Sequence, residues 1–212
     1  MDHFDTAQLI ALAAVLGFAS GIRLYAVLLI VGLVGYAGWV ELPRGLQVLA
    51  HPWVLGAAGF MFVVEFFADK VPAVDSLWDA LHTFIRIPAG AALAAGVFGF
   101  GGGDPVWTTM AAILGGSLAA TSHLTKTGAR AAVNTSPEPF SNVIVSTAED
   151  VFVGGLLALV LAYPLVAFGI VLVLVIAALW VLPRLFRAVG RVLRRLFGSE
   201  PAARNQQEQG SR

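Results

Sequence analysis

The chain has no cysteine and very little charge. Without cysteine, disulfides, thiolate metal sites and cysteine nucleophiles are excluded. Charged residues make up 12% of the 212 residues and hydrophobic ones 58%. That is roughly half the charged share of an ordinary soluble domain, too little to keep the exterior in water. Catalytic signatures are missing as well: no P-loop, G-x-S-x-G, H-E-x-x-H or histidine pair at ligand spacing occurs. Gly101-Gly-Gly-Asp104 reads as a flexible turn, not a phosphate cradle. Neither a metal, a cofactor nor a nucleic-acid partner is therefore expected. The N-terminus resembles a secretion signal but carries Asp2 and Asp5 where a basic region belongs, so it reads as a retained first helix.

What is present is apolar sequence. Mean hydropathy is +0.83, and the 23 glycines suit membrane helices. A span takes roughly 20 apolar residues. Residues 7–40 are too long for one upright helix and are expected to tilt or to break near Ser20-Gly21. The next span covers 52–68, with Pro52 in its first turn. A third is expected to open at Asp75 or Ser76, since Ser76-Leu-Trp-Asp79 has the form of a capping box, and to kink at Pro88. The fourth runs over about 106–121 and gives way to a polar stretch. The block 143–182 is two spans long and divides at Tyr163-Pro164. The expectation is an all-α integral membrane protein of about six transmembrane helices, with the bilayer as its surroundings. Tyr36, Trp39, Trp53, Trp78, Trp107, Tyr163 and Trp180, near span ends, read as interface anchors.

Three zones follow: a bundle at 1–183, a basic amphipathic helix at 184–198, and a disordered polar tail at 199–212. Arg184, Arg187, Arg191, Arg194 and Arg195 suit an anionic lipid surface and, by the positive-inside rule, place the C-terminus in the cytoplasm. Six spans would bring the N-terminus to the same side, in a bacterial inner membrane. A bundle this small suggests a homo-oligomer.

The halves show faint likeness. Ala13-Ala-Val-Leu-Gly17 resembles Ala111-Ala-Ile-Leu-Gly115, and Ser20-Gly-Ile-Arg23 resembles Thr127-Gly-Ala-Arg130. Three spans per half would make a 3+3 inverted repeat with interrupted helices, as in many secondary transporters. Against it, the offsets disagree: 98 and 107 residues for these pairs, and 84 between Glu65 and Glu149.

Charges in hydrocarbon cost roughly 2.5–3.5 kcal/mol each on insertion scales and are kept when paired or wet. Arg23 is the clearest, deep in an apolar run. Glu65 and Asp69 share a helix face, as do Asp79, His82 and Arg86, and the short turn between them makes one cluster with Lys70 and Asp75. His123, Lys126 and Arg130 follow at steps of three and four. Asn134, Glu138 and Asn142 belong to a loop dense in hydrogen-bonding groups, tolerated at membrane depth only if buried or lining a cavity. Glu149 and Asp150 enter the next span.

Glu65-Phe-Phe-Ala-Asp-Lys-Val-Pro-Ala-Val-Asp-Ser-Leu-Trp-Asp79, His82-Thr-Phe-Ile-Arg86 and Asn134-Thr-Ser-Pro-Glu-Pro-Phe-Ser-Asn142 resemble the family called domain of unknown function 4126, over about residues 9–182. The resemblance implies a multi-spanning membrane protein with no assigned activity. The residues themselves suggest a transporter or channel-like protein, with Arg23 and Arg130 contacting an anionic group and Glu65, Asp69 and Glu149 coupling to protons or a cation. Two other readings stand beside it: an intramembrane enzyme acting on lipid phosphates, with Asp69, Asp75 and Asp79 holding a metal, and a non-catalytic scaffold working through the basic tail.

Overall fold

The computed structural model describes residues 5–99, 103–133 and 139–197. Among them are six α-helices and one 3-10 helix, and no strand: α1 Thr6–Tyr36, the 3-10 helix Arg44–Ala50, α2 Pro52–Ala68, α3 Pro72–Val97, α4 Pro105–Val133, α5 Pro139–Ala162 and α6 Pro164–Phe197. Their starts follow local rules. Asp5 and Gln8 form a reciprocal capping box at α1. Pro52 and Pro72 occupy first turns, where a missing N–H costs nothing. Asp104 Oδ1 accepts from the Val106 N–H at the start of α4. After α1, Gly38 at φ +69° and the Trp39 N–H bonded to the Val34 carbonyl complete a Schellman turn.

Among the described residues, four helices are long and apolar enough to cross a membrane, giving five candidate spans if the 3-10 helix and α2, bent by 70°, count as one. The chain is thus a multi-pass membrane protein. α4 is outside this set, its apolar stretch being interspersed with threonine, serine and glycine.

α1 does not cross in one stroke. Arg23, at φ −142° and ψ 78°, is non-helical in its middle. A straight helix would hold Leu12 and Val31 about 28 Å apart, yet both line one apolar cleft with Leu16, Leu42, Leu46 and Val160. Its two arms, residues 6–22 and 24–36, therefore fold back on each other, with Arg23 at the tip. The break falls two residues past the Ser20-Gly21 expected from sequence.

The first arm is the core of the bundle, buried almost continuously from Ala11 to Gly21. It runs parallel to α4: Gly17 faces Gly115, the Phe18 carbonyl accepts from Ser122 Oγ, and the Ile22 carbonyl accepts from Lys126 Nζ. It packs on α3 with Ser20 against Gly90, and Tyr25, just past the tip, meets His82 of the same helix. Small residues permit this approach. A Cβ on Gly17 would lie 2.6 Å from the Gly115 Cα, and one on Gly90 would lie 2.7 Å from Ser20 Oγ.

α5 carries the chain from Ser146 beside Arg23 to Leu157 and Val160 beside Leu12 and Leu16. α6 then returns to set Leu185 against Gly128. The start of α1 and the arginine-bearing end of α6 consequently lie at opposite ends of the bundle, which replaces the expectation that both termini share a side. Tyr36, Trp39, Trp53, Trp107 and Tyr163, all 41% exposed or more, gather at the end away from Arg23, as an interfacial belt would.

Other expectations change too. α3 begins at Pro72, so Ser76 and Asp79 are not its cap, and the Asp79 side chain turns inward. The polar stretch after residue 121 continues α4 as far as Val133, because its charged side chains find partners inside the bundle. The arginine segment continues α6 through Pro183. The Ala-Ala-Val-Leu-Gly and Ala-Ala-Ile-Leu-Gly segments lie side by side in parallel helices, whereas inverted repeats would oppose them. Their likeness reflects close packing of small residues.

Candidate functional site

The break in α1 builds the site. Ending a helix leaves carbonyls without helical partners, and here α4 supplies donors to them, Lys126 to Ile22 among others. The Arg23 guanidinium then projects from the tip to three partners. Its Nη1 lies 2.5 Å from Asp69 Oδ2, its Nε 3.1 Å from Asp150 Oδ1, and its Nη2 donates to both the carbonyl and Oγ of Ser146 at 2.8 Å.

Each of the first five helices contributes to the surrounding network. α2 ends on it, so that Glu65 and the C-cap residue Asp69 enter from one side. Asp69 Oδ2 is a hub, meeting Lys126 Nζ at 2.8 Å and Arg130 Nη2 at 3.7 Å as well as Arg23. Asp75, Asp79 and Arg86 descend one face of α3. Arg86 donates to Glu65 Oε1 at 2.6 Å and to Asp79 Oδ1 at 2.7 Å. Arg130 grips Glu149 with two parallel bonds of 3.1 and 3.0 Å, the strong forked arrangement. All these side chains are 0–2% exposed except Glu149 at 15% and Asp150 at 17%. The network thus has a rim on α5.

Charge does not balance. Among the described residues, Arg23, Arg86, Lys126 and Arg130 face six carboxylates: Glu65, Asp69, Asp75, Asp79, Glu149 and Asp150. Lys70, at the margin, covers the Phe66 ring and donates to the Phe66 carbonyl. Counting it still leaves one carboxylate in excess. The buried atoms Glu65 Oε2, Asp69 Oδ1 and Asp79 Oδ2 have no hydrogen-bond partner. A fully ionised set of this kind is costly in a low dielectric.

Oxygens of Asp69, Asp75 and Asp79 lie within 4.8 Å of one another, the trio considered for a metal. They do not fit one. Lys126 Nζ sits 2.8 Å from Asp69 and 3.4 Å from Asp79, and Arg130 Nη1 is 3.7 Å from Asp75. A tethered ammonium and a guanidinium already supply the positive charge a metal would bring.

Of the residues singled out from sequence, Arg23, Glu65, Asp69, Asp79, Arg86, His123, Lys126, Arg130, Glu149 and Asp150 converge on one network. His82 adjoins it, stacked on Trp78 with centroids 4.1 Å apart, so Trp78 is more than an interface anchor. Asn142 is buried two turns before Glu149 and its amide has no partner. Asn134 and Glu138 lie outside the described residues. Sequence reasoning missed Tyr25, Thr83 and Ser146. Ser146 had a signal: with Asn142 and Glu149 it forms a polar stripe at helical spacing.

No curated protein and no solved structure matches the chain. A family model described as Domain of unknown function (DUF4126) matches residues 10–184. That stretch holds the α1 tip, every described residue of the network, and none of the basic segment beyond Arg184. The chain belongs to the DUF4126 family.

Proposed function

We propose that this protein is a membrane transporter or channel-like protein that moves, or is driven by, protons or another cation. The observation carrying this reading is the surplus of carboxylates in a buried network at the tip of a folded-back helix. A purely structural set of ion pairs would balance, and this one holds room for positive charge. The guanidinium groups of Arg23, Arg86 and Arg130 are each occupied by carboxylates, which speaks against the anionic ligand that the arginines alone suggested. Glu149 and Asp150, partly accessible, form the side from which an ion enters. The setting is a bacterial inner membrane, with the arginine-bearing end of α6 in the cytoplasm against anionic lipid.

The test uses protein reconstituted into liposomes of phosphatidylethanolamine and phosphatidylglycerol, loaded with a pH-sensitive dye. With the membrane potential clamped, an imposed pH gradient should collapse faster than in protein-free vesicles. Glu65→Gln and Asp69→Asn should remove the difference. Wild-type vesicles no leakier than protein-free ones to protons, sodium and potassium would overturn the reading.

A further inference from the structure

Two histidines in the bundle interior hold their protons in opposite ways. His82 Nδ1 lies 2.8 Å from the Trp78 carbonyl. A carbonyl only accepts, so Nδ1 carries a hydrogen. Its Nε2 lies 3.1 Å from the Tyr25 hydroxyl, a group that can donate or accept. With His82 neutral, Tyr25 donates to Nε2. With Nε2 protonated, the hydroxyl turns and accepts. Both contacts therefore survive protonation.

His123 differs. Its Nδ1 lies 3.2 Å from Arg86 Nη1, and a guanidinium only donates, so Nδ1 is bare. The hydrogen then sits on Nε2, which faces Thr83 Oγ1 at 2.8 Å while Thr83 donates to the Asp79 carbonyl, and the ring also donates toward the Gly21 carbonyl on α1. A second proton on His123 would break the Arg86 bond and set two cations in contact.

We propose that His82 is the residue through which the network takes up a proton, with Tyr25 as its rotating partner, and that His123 stays neutral and positions Arg86. This deepens the proton reading above and rests on it for its functional meaning. The charged groups around His82 are Glu65 from α2 and Asp79 and Arg86 from its own helix. Tyr25 faces it from α1. From α4, His123 and Lys126 reach Arg86 and Asp79. A proton on His82 is thus set beside carboxylates that outnumber their cations, and Tyr25, half-buried, leads toward the outer surface.

The test is nitrogen-15 NMR of histidine-labelled full-length protein in lipid nanodiscs, with signals assigned through His82→Gln and His123→Gln. At about pH 8, His82 should show the Nδ1–H tautomer and His123 the Nε2–H tautomer. On stepwise acidification His82 should become doubly protonated while His123 does not, and a His82 that stays neutral down to the lowest pH at which the protein remains folded overturns the inference. Tyr25→Phe should shift the His82 Nε2 signal and leave His123 unmoved. Where a glutamine variant fails to fold, Tyr25→Phe still assigns His82. The inference is overturned if the tautomers are reversed, or if His123 takes the proton first. The spectra decide proton placement whatever the liposomes do. A silent flux assay with the expected spectra rejects the transport reading alone, and active flux with reversed tautomers rejects His82 alone.

Discussion

Arg23 and Arg130 end look-alike tetrapeptides, yet they meet the bundle differently. Arg23 stands where α1 breaks, and its three nitrogens go to partners on two other helices. Arg130 stands in unbroken helix and commits mainly to Glu149. A broken helix aims a side chain along its own axis into the bundle centre, whereas an intact helix presents one sideways to a neighbour. The first arginine therefore organises the network, and the second closes its edge.

The largest effect should come from the packing that makes the break possible. Gly17→Leu forces a Cβ to 2.6 Å from the Gly115 Cα, and backbone cannot move aside. Loss of the folded monodisperse protein in detergent is expected, a cost of about 3 kcal/mol or more. Arg23→Ala comes next. It takes from Asp150 its ion-pair partner and from Asp69 one of three cations, and breaking a buried pair from one side costs about 3–5 kcal/mol. A large drop in thermal unfolding midpoint in nanodiscs should follow, and Arg23→Lys should not restore it, since one ammonium cannot span three separated partners.

Arg130→Ala should cost less, about 1–3 kcal/mol, because Glu149 keeps Lys126 at 3.5 Å and Asp69 keeps Arg23 and Lys126. An unfolding midpoint as low as that of Arg23→Ala would erase the distinction drawn between the two arginines. The smallest effect is expected at Gly154→Ala, where a Cβ meets nothing within 4 Å. A change within about 0.5 kcal/mol there, against failure at Gly17, would show that close helix approach, not glycine content, sustains the α1 tip.

Much of the chain was legible without coordinates. Pro52 opened α2 and Tyr163-Pro164 divided α5 from α6 as read, because proline acts on its own few neighbours. Helical spacing put Glu65 with Asp69, and Asp79 with Arg86, on common faces. What spacing could not show was convergence. Lys126 and Asp69 are 57 positions apart and Arg23 and Ser146 are 123 apart, and no local rule links them. Nor could composition distinguish a long tilted helix from a folded-back one at residues 7–40, since both bury the same apolar residues.

The sequence by itself determined a membrane-embedded helical bundle carrying ionisable residues, because hydrophobicity and helix punctuation are local properties summed along the chain. The tertiary structure alone decided that these residues meet in one network, that α1 turns back at Arg23, and that α4 stays helical beneath its charges. Those outcomes depend on which side chains come within bonding distance in a low dielectric. There, a charge with a partner is stable and the same charge without one is not.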